Sequence, residues 1–133
     1  MKVYLVAGEP SGDKLGAELM AGLKSCAPYE LEFCGVGGPL MEEQGLTSLF
    51  PITEIAVMGI GEILAKYSFL KKRIKNTVDD ILRLKPDVLI TIDAPEFSLR
   101  VAKMVRKKLF INTVHYVAPT VWAWRPNRAK KIS

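Results

Sequence analysis

The stretch VLITIDAPEFS, residues 88–98, decides how this chain is read. Four apolar residues, with Thr91 among them, run straight into a carboxylate at Asp93, and Pro95 and Glu96 follow at once. A short, β-branched apolar run closed by polar residues predicts a strand covered on both faces, as in the middle of a parallel sheet. Such a strand has no polar face, so Thr91 and Asp93 need explanations of their own. Asp93 falls where the strand leaves the sheet, and the segment FSLRVAKMVRKKL (97–109) beyond Pro95 carries a helical pattern.

The same alternation extends outward in both directions. Before the strand, residues 61–84 place Leu70, Ile74, Val78, Ile81 and Leu82 in one helical stripe that Pro86 stops. After it, INTVHYV (111–117) is again strand-like. Near the start, KVYLVA (2–7) is a short apolar strand closed by Gly8. The segment SGDKLGAELMAGLKS (11–25) then puts Leu15, Leu19, Met20 and Leu23 on one helical face, with Ser11 or Asp13 able to cap it. LEFCGVGG (31–38) reads as a second strand entering a glycine turn, PLMEEQG (39–45) as a short helix ended by Gly45, and LFPI (49–52) as a short strand. APTVWAWRPNRAKKIS (118–133) turns and begins a further element.

Strands alternating with helices predict an α/β fold, a doubly wound, Rossmann-like parallel sheet with right-handed crossovers. In such sheets ligands bind outside the carboxyl ends of the strands, near the point where strand order reverses. Four loops are expected to share that edge: GEPSGD (8–13), GVGGP (35–39), DAPE (93–96) and APTVWAW (118–124).

A length of 133 residues, 49% hydrophobic, suits one α/β core and is too short for two. Two cysteines, Cys26 and Cys34, form neither a CxxC pair nor a Cys/His cluster, which argues against a disulfide framework or a zinc site and for a reducing setting. The apolar stretch before Glu9 is too short for a signal peptide, and no later run is long enough to span a bilayer, so the chain is expected to be soluble. The net charge of +5 is unevenly placed: Met1 to Glu96 holds ten basic and fourteen acidic residues, Phe97 to Ser133 nine basic and no acidic ones. Such a half is either a set of solvated helix faces or a surface for an anionic partner, whether phosphate, nucleic acid or lipid. Nucleic acid is the least favoured, because no recognised module pattern accompanies the basic residues.

Each loop has a plain explanation beside a functional one. The first is not a P-loop, since GxxxxGK[ST] started at Gly8 needs glycine where Asp13 stands. GVGGPL and GIGEIL fail the dinucleotide fingerprint at Leu40 and Leu64, and read as turns. His115, the single histidine, is either a hydrogen-bonded core residue or an acid or base. Trp122 and Trp124 beside Arg125 serve packing or ligand binding equally well. Asp93 is either the cap of the next helix or a general base whose apolar setting raises its pKa, with Glu96 second for the base role and a natural member of that helix's first turn.

Together, LVAGEPSGD (5–13), GVGGPLM (35–41), EIAVMGIGEIL (54–64), IDAPEF (92–97) and HYVAPTVWAWRPNR (115–128) resemble the lipid-A-disaccharide synthase family, in the same order and at the same relative spacing. The resemblance spans the chain from Leu5 to Arg128. It implies an inverting, metal-free glycosyltransferase of the two-domain GT-B kind, with no cofactor. Its substrates would be UDP-2,3-diacylglucosamine and 2,3-diacylglucosamine 1-phosphate (lipid X), and its products UDP and a β-1,6-linked disaccharide.

Carried to matching positions, the resemblance implies Asp93 as the catalytic base for the acceptor's 6-hydroxyl. Glu9, Ser11, Gly12 and Asp13 would line the cleft, and Met58, Glu96, His115, Trp122, Trp124 and Arg125 complete the expected substrate-binding set. Met58, Ile60, Ile63, Leu64, Tyr67, Phe69 and Leu70 with Lys66, Lys71, Lys72, Arg73 and Lys75 are expected to face an anionic inner-membrane surface from the cytoplasm, part of the stripe serving the core. Family members are about three times this length. Residues 1–133 would therefore be the incomplete N-terminal, acceptor-side Rossmann-like domain, with the donor-binding domain outside the chain. The rival expectation is a free-standing, flavodoxin-like module that binds a phosphorylated ligand without turnover.

Overall fold

The computed structural model describes residues 1–52, 63–93 and 95–116, and only the backbone of 63–67, 95 and 96. Its elements run β1 (Lys2–Ala7), α1 (Pro10–Cys26), β2 (Glu32–Val36), α2 (Pro39–Glu43), β3 (Thr47–Ser48), α3 (Ile63–Leu84), β4 (Val88–Ile92), α4 (Pro95–Lys108) and β5 (Asn112–Tyr116). All pairings are parallel, in the order β3-β2-β1-β4-β5. The doubly wound α/β expectation is met. The two-residue β3, outside β2, gives the sheet the Rossmann order rather than the 2-1-3-4-5 order of flavodoxin.

Two cores hold the sheet between its helices. On one face Met20 of α1 and Met41 of α2 pack with Val3, Leu5, Phe33, Ile90 and Ile92. On the other, Ile74, Val78 and Ile81 of α3 and Phe97, Val101 and Val105 of α4 pack with Tyr4, Val6, Val36 and Leu89. The α3 stripe is thus core as its spacing predicts, with Leu70 and Leu82 partly buried beside it. Tyr4 ties strand to helix, its buried hydroxyl donating to Asp80 at 2.7 Å while Arg83 pairs with the same carboxylate at 2.6 Å. Helix α3 stops at Lys85, which turns left-handed at φ 49° before Pro86.

Two local expectations are corrected. The third strand lies at Thr47–Ser48, not at LFPI, where Phe50 and Ile52 are buried but unpaired to the sheet. Apolar content alone misplaced it, because burial does not require a ladder. Helix α1 is not capped by Ser11 or Asp13: its N-cap is Glu9, in extended backbone with no side-chain cap bond, and Pro10 occupies the first turn.

Candidate active site

Strand order reverses between β1 and β4, and there Ala7 pairs with Ile92. Gly8 and Asp93 therefore leave neighbouring strands at the same level, at the mouth of the crevice that this topology opens. Asp93 departs from the strand at φ 44°, a left-handed geometry that aspartate tolerates better than most residues. Its N–H still donates to the Tyr116 carbonyl at 2.9 Å, so the bend is anchored to β5 as it begins. Helix α4 starts at Pro95, two residues beyond Asp93. A half-buried carboxylate thus stands at the switch point.

Around it the structure gathers part of the expected set. Glu9, at the N-cap of α1, and Ser11, in its first turn, are exposed, while Gly12 is buried. A Cβ on Gly12 would sit 3.3 Å from Ala7 Cβ and 3.6 Å from the Ile92 carbonyl oxygen, so the missing side chain lets the first turn of α1 lie over the β1–β4 pair. Asp13 is only 4% exposed and faces the second loop instead of the open rim. Its Oδ1 accepts from the N–H of Gly38 (2.9 Å) and Met41 (3.0 Å), and its Oδ2 from Leu40 (3.1 Å). The residue expected to cap its own helix caps α2.

His115 lies on β5 opposite Thr91, with Nδ1 2.7 Å from the Thr91 hydroxyl. Burial lowers its pKa from the usual histidine value, and the charge of Asp93 offsets part of that fall. Thr91, 2% exposed, also reaches the Val114 carbonyl at 3.4 Å, which explains a hydroxyl inside an apolar strand. Neither Thr91 nor Gly38 was in the expected set. The break in the apolar run hinted at Thr91, but its partner follows from strand register. Among the remaining expectations, Met58, Ile60, Trp122, Trp124 and Arg125 lie outside the described residues, as do the side chains of Ile63, Leu64, Lys66, Tyr67 and Glu96. Glu96 is the second residue of α4, as its expected place in the first turn requires. On α3, Lys71, Lys72 and Lys75 are exposed, whereas Arg73 is half-buried with its guanidinium 4.9 Å from the Phe50 ring centroid and 5.0 Å from that of Phe69.

Comparison with known proteins supplies the family. The family model described as lipid-A-disaccharide synthetase matches residues 3–133. The lipid-A-disaccharide synthase of Ruegeria pomeroyi is 56% identical over the whole chain, which covers 33% of that relative. Those of Pseudomonas fluorescens strain Pf0-1 (51% identical, 99% of this chain, 35% of the relative) and Rhodospirillum centenum (48%, 98% and 33%) are similar. The chain spans about a third of the length of these relatives. Among solved structures, the UDP-GlcNAc 2-epimerase of Neisseria meningitidis matches with a TM-score of 0.57 at 16% identity, over 97% of this chain and 36% of that one, a likeness of fold. With its family model matched almost end to end and its relatives about half identical, the chain belongs to the lipid-A-disaccharide synthase family.

Proposed function

We propose that this chain forms the acceptor-side wall of a glycosyltransferase that joins UDP-2,3-diacylglucosamine to lipid X. Asp93 takes the proton of the acceptor's 6-hydroxyl as that oxygen attacks the anomeric carbon. The bond from that carbon to the UDP oxygen breaks from the opposite side, UDP carries away the electron pair, and inversion gives the β-1,6 link. The observation that carries this assignment is the position of Asp93, half-buried at the strand reversal next to Glu9 and the first turn of α1. Family membership supplies the reaction class. The donor's nucleotide is assigned to a second domain contributed by the other two thirds of the relatives' length, and the protein is placed on the cytoplasmic face of the inner membrane, where both acylated substrates reside.

The test is a chimera in which this chain replaces the matching third of the Ruegeria pomeroyi relative. Asp93→Asn preserves shape and removes the proton acceptor, so turnover should fall by about 100-fold or more with little change in melting temperature. Undiminished turnover in Asp93→Asn would remove Asp93 from the chemistry.

A further inference from the structure

The carboxylate of Asp13 is engaged three times by the backbone amides of Gly38, the N-cap of α2, and of Leu40 and Met41 in its first turn, twenty-five to twenty-eight residues away in sequence. Hydrogen bonds to an ionised carboxylate are among the stronger ones a protein makes, and these lie in a nearly dry setting. The partner loop is shaped for the contact. Gly38 has φ −103°, which any residue adopts, so its glycine is not required by backbone conformation. It is required by space, since a Cβ there would come within 2.6 Å of both Cγ and Oδ2 of Asp13. The neighbouring Gly37 is held by the Ser48 hydroxyl at 3.1 Å, which fixes the far side of the same turn to β3.

We propose that Asp13 is a positioning residue: its buried carboxylate locks Gly38 and the first turn of α2 to the first turn of α1, so that the two rim segments beside Asp93 that enter these helices hold one spacing and present one surface to the substrate. Asp13 then acts through Gly38, Leu40 and Met41 and not by touching substrate. The role in turnover rests on the glycosyltransferase assignment above, whereas the lock itself does not.

The lock is tested on the 133-residue chain. In Asp13→Asn one of the three amides must face an NH₂ group in place of an oxygen, and amide exchange at Gly38, Leu40 and Met41 should speed up by about 10-fold or more relative to the sheet. Gly38→Ala should lower the melting temperature in the native background and have little further effect in an Asp13→Ala background, where the obstructing carboxylate is gone. The functional arm uses the chimera, assayed well below the variant's melting temperature. There Asp13→Asn should lower kcat/KM by about 10-fold or more while the pH–rate profile keeps its midpoints, because in this role Asp13 acts by holding the two segments together and not on the substrate's proton. Unchanged amide exchange, or additive effects of the two alanine substitutions, would overturn the lock. Faster exchange with unchanged kcat/KM would reduce Asp13 to a purely structural residue and overturn its positioning role. An inactive native chimera would sink the glycosyltransferase assignment, and the exchange and coupling results would still decide the lock.

Discussion

At the scale of single residues, the polar groups along β4 divide the labour that the opening stretch leaves unexplained. Thr91 fastens β5 through His115, and Asp93 leaves the sheet in a left-handed turn. His115 carries a consequence for pH. Its folded pKa lies below that of the unfolded chain, so as pH falls through about 6.5 the unfolded state gains a proton before the native state does. Stability associated with His115 is present at higher pH and declines as pH drops toward the folded value. Replacing it by Gln removes that dependence. The melting temperature of the native chain should therefore fall relative to that of His115→Gln between about pH 7 and pH 5. A constant difference across that range would show that His115 titrates alike in both states.

At the scale of elements, α3 has two unlike sides. Ile74, Val78 and Ile81 are buried, while Lys71, Lys72 and Lys75 stand in solvent and Phe69 is 38% exposed. The basic residues of this stripe are not equivalent: Arg73 stacks against two rings and stiffens the helix's contact with Phe50, so its charge is less available than those of the lysines. If the exposed side meets an anionic bilayer, binding to acidic vesicles should weaken as salt rises. Charge reversal at Lys71 and Lys72 should weaken it further, while Arg73→Glu should mainly lower stability. Sedimentation with vesicles of acidic and of neutral lipid measures the first effect and thermal unfolding the second. Equal binding to both lipids at all salt concentrations would remove the electrostatic contribution.

At the scale of the whole molecule, β5 leaves Val114 at 50% and Tyr116 at 36% exposure, and Phe110, just before it, fully exposed. In the proposed reading this domain supplies one wall of a cleft. Transfer between two sugars draws much of its rate from holding donor and base together, so one wall is not expected to suffice. The chain alone should form no detectable disaccharide and should show no measurable affinity for UDP by calorimetric titration. Micromolar UDP binding would move donor recognition onto this domain and return the nucleotide-binding alternative to consideration.

The sequence by itself determined the alternation of the described elements, the parallel sheet and, APTVWAW lying outside the described residues, the carboxyl-edge positions of the loops after β1, β2 and β4, because burial on both faces and helical spacing are written in local runs such as VLITI and in the stripe from Leu70 to Leu82. It also singled out Asp93, since a carboxylate that ends an apolar strand is visible without neighbours. The short strand at Thr47–Ser48 was not legible, because a two-residue ladder is defined by its partner at Cys34 and Gly35 and not by its own composition. Nor was the work of Asp13, whose motif placed it among substrate contacts. Only the tertiary structure brought it against the amides of Gly38, Leu40 and Met41, and a hydrogen bond across more than twenty residues leaves no trace in local pattern. The tertiary structure likewise decided which face each polar residue takes: register set Thr91 opposite His115, and packing turned Arg73 onto Phe50 while leaving its lysine neighbours in water.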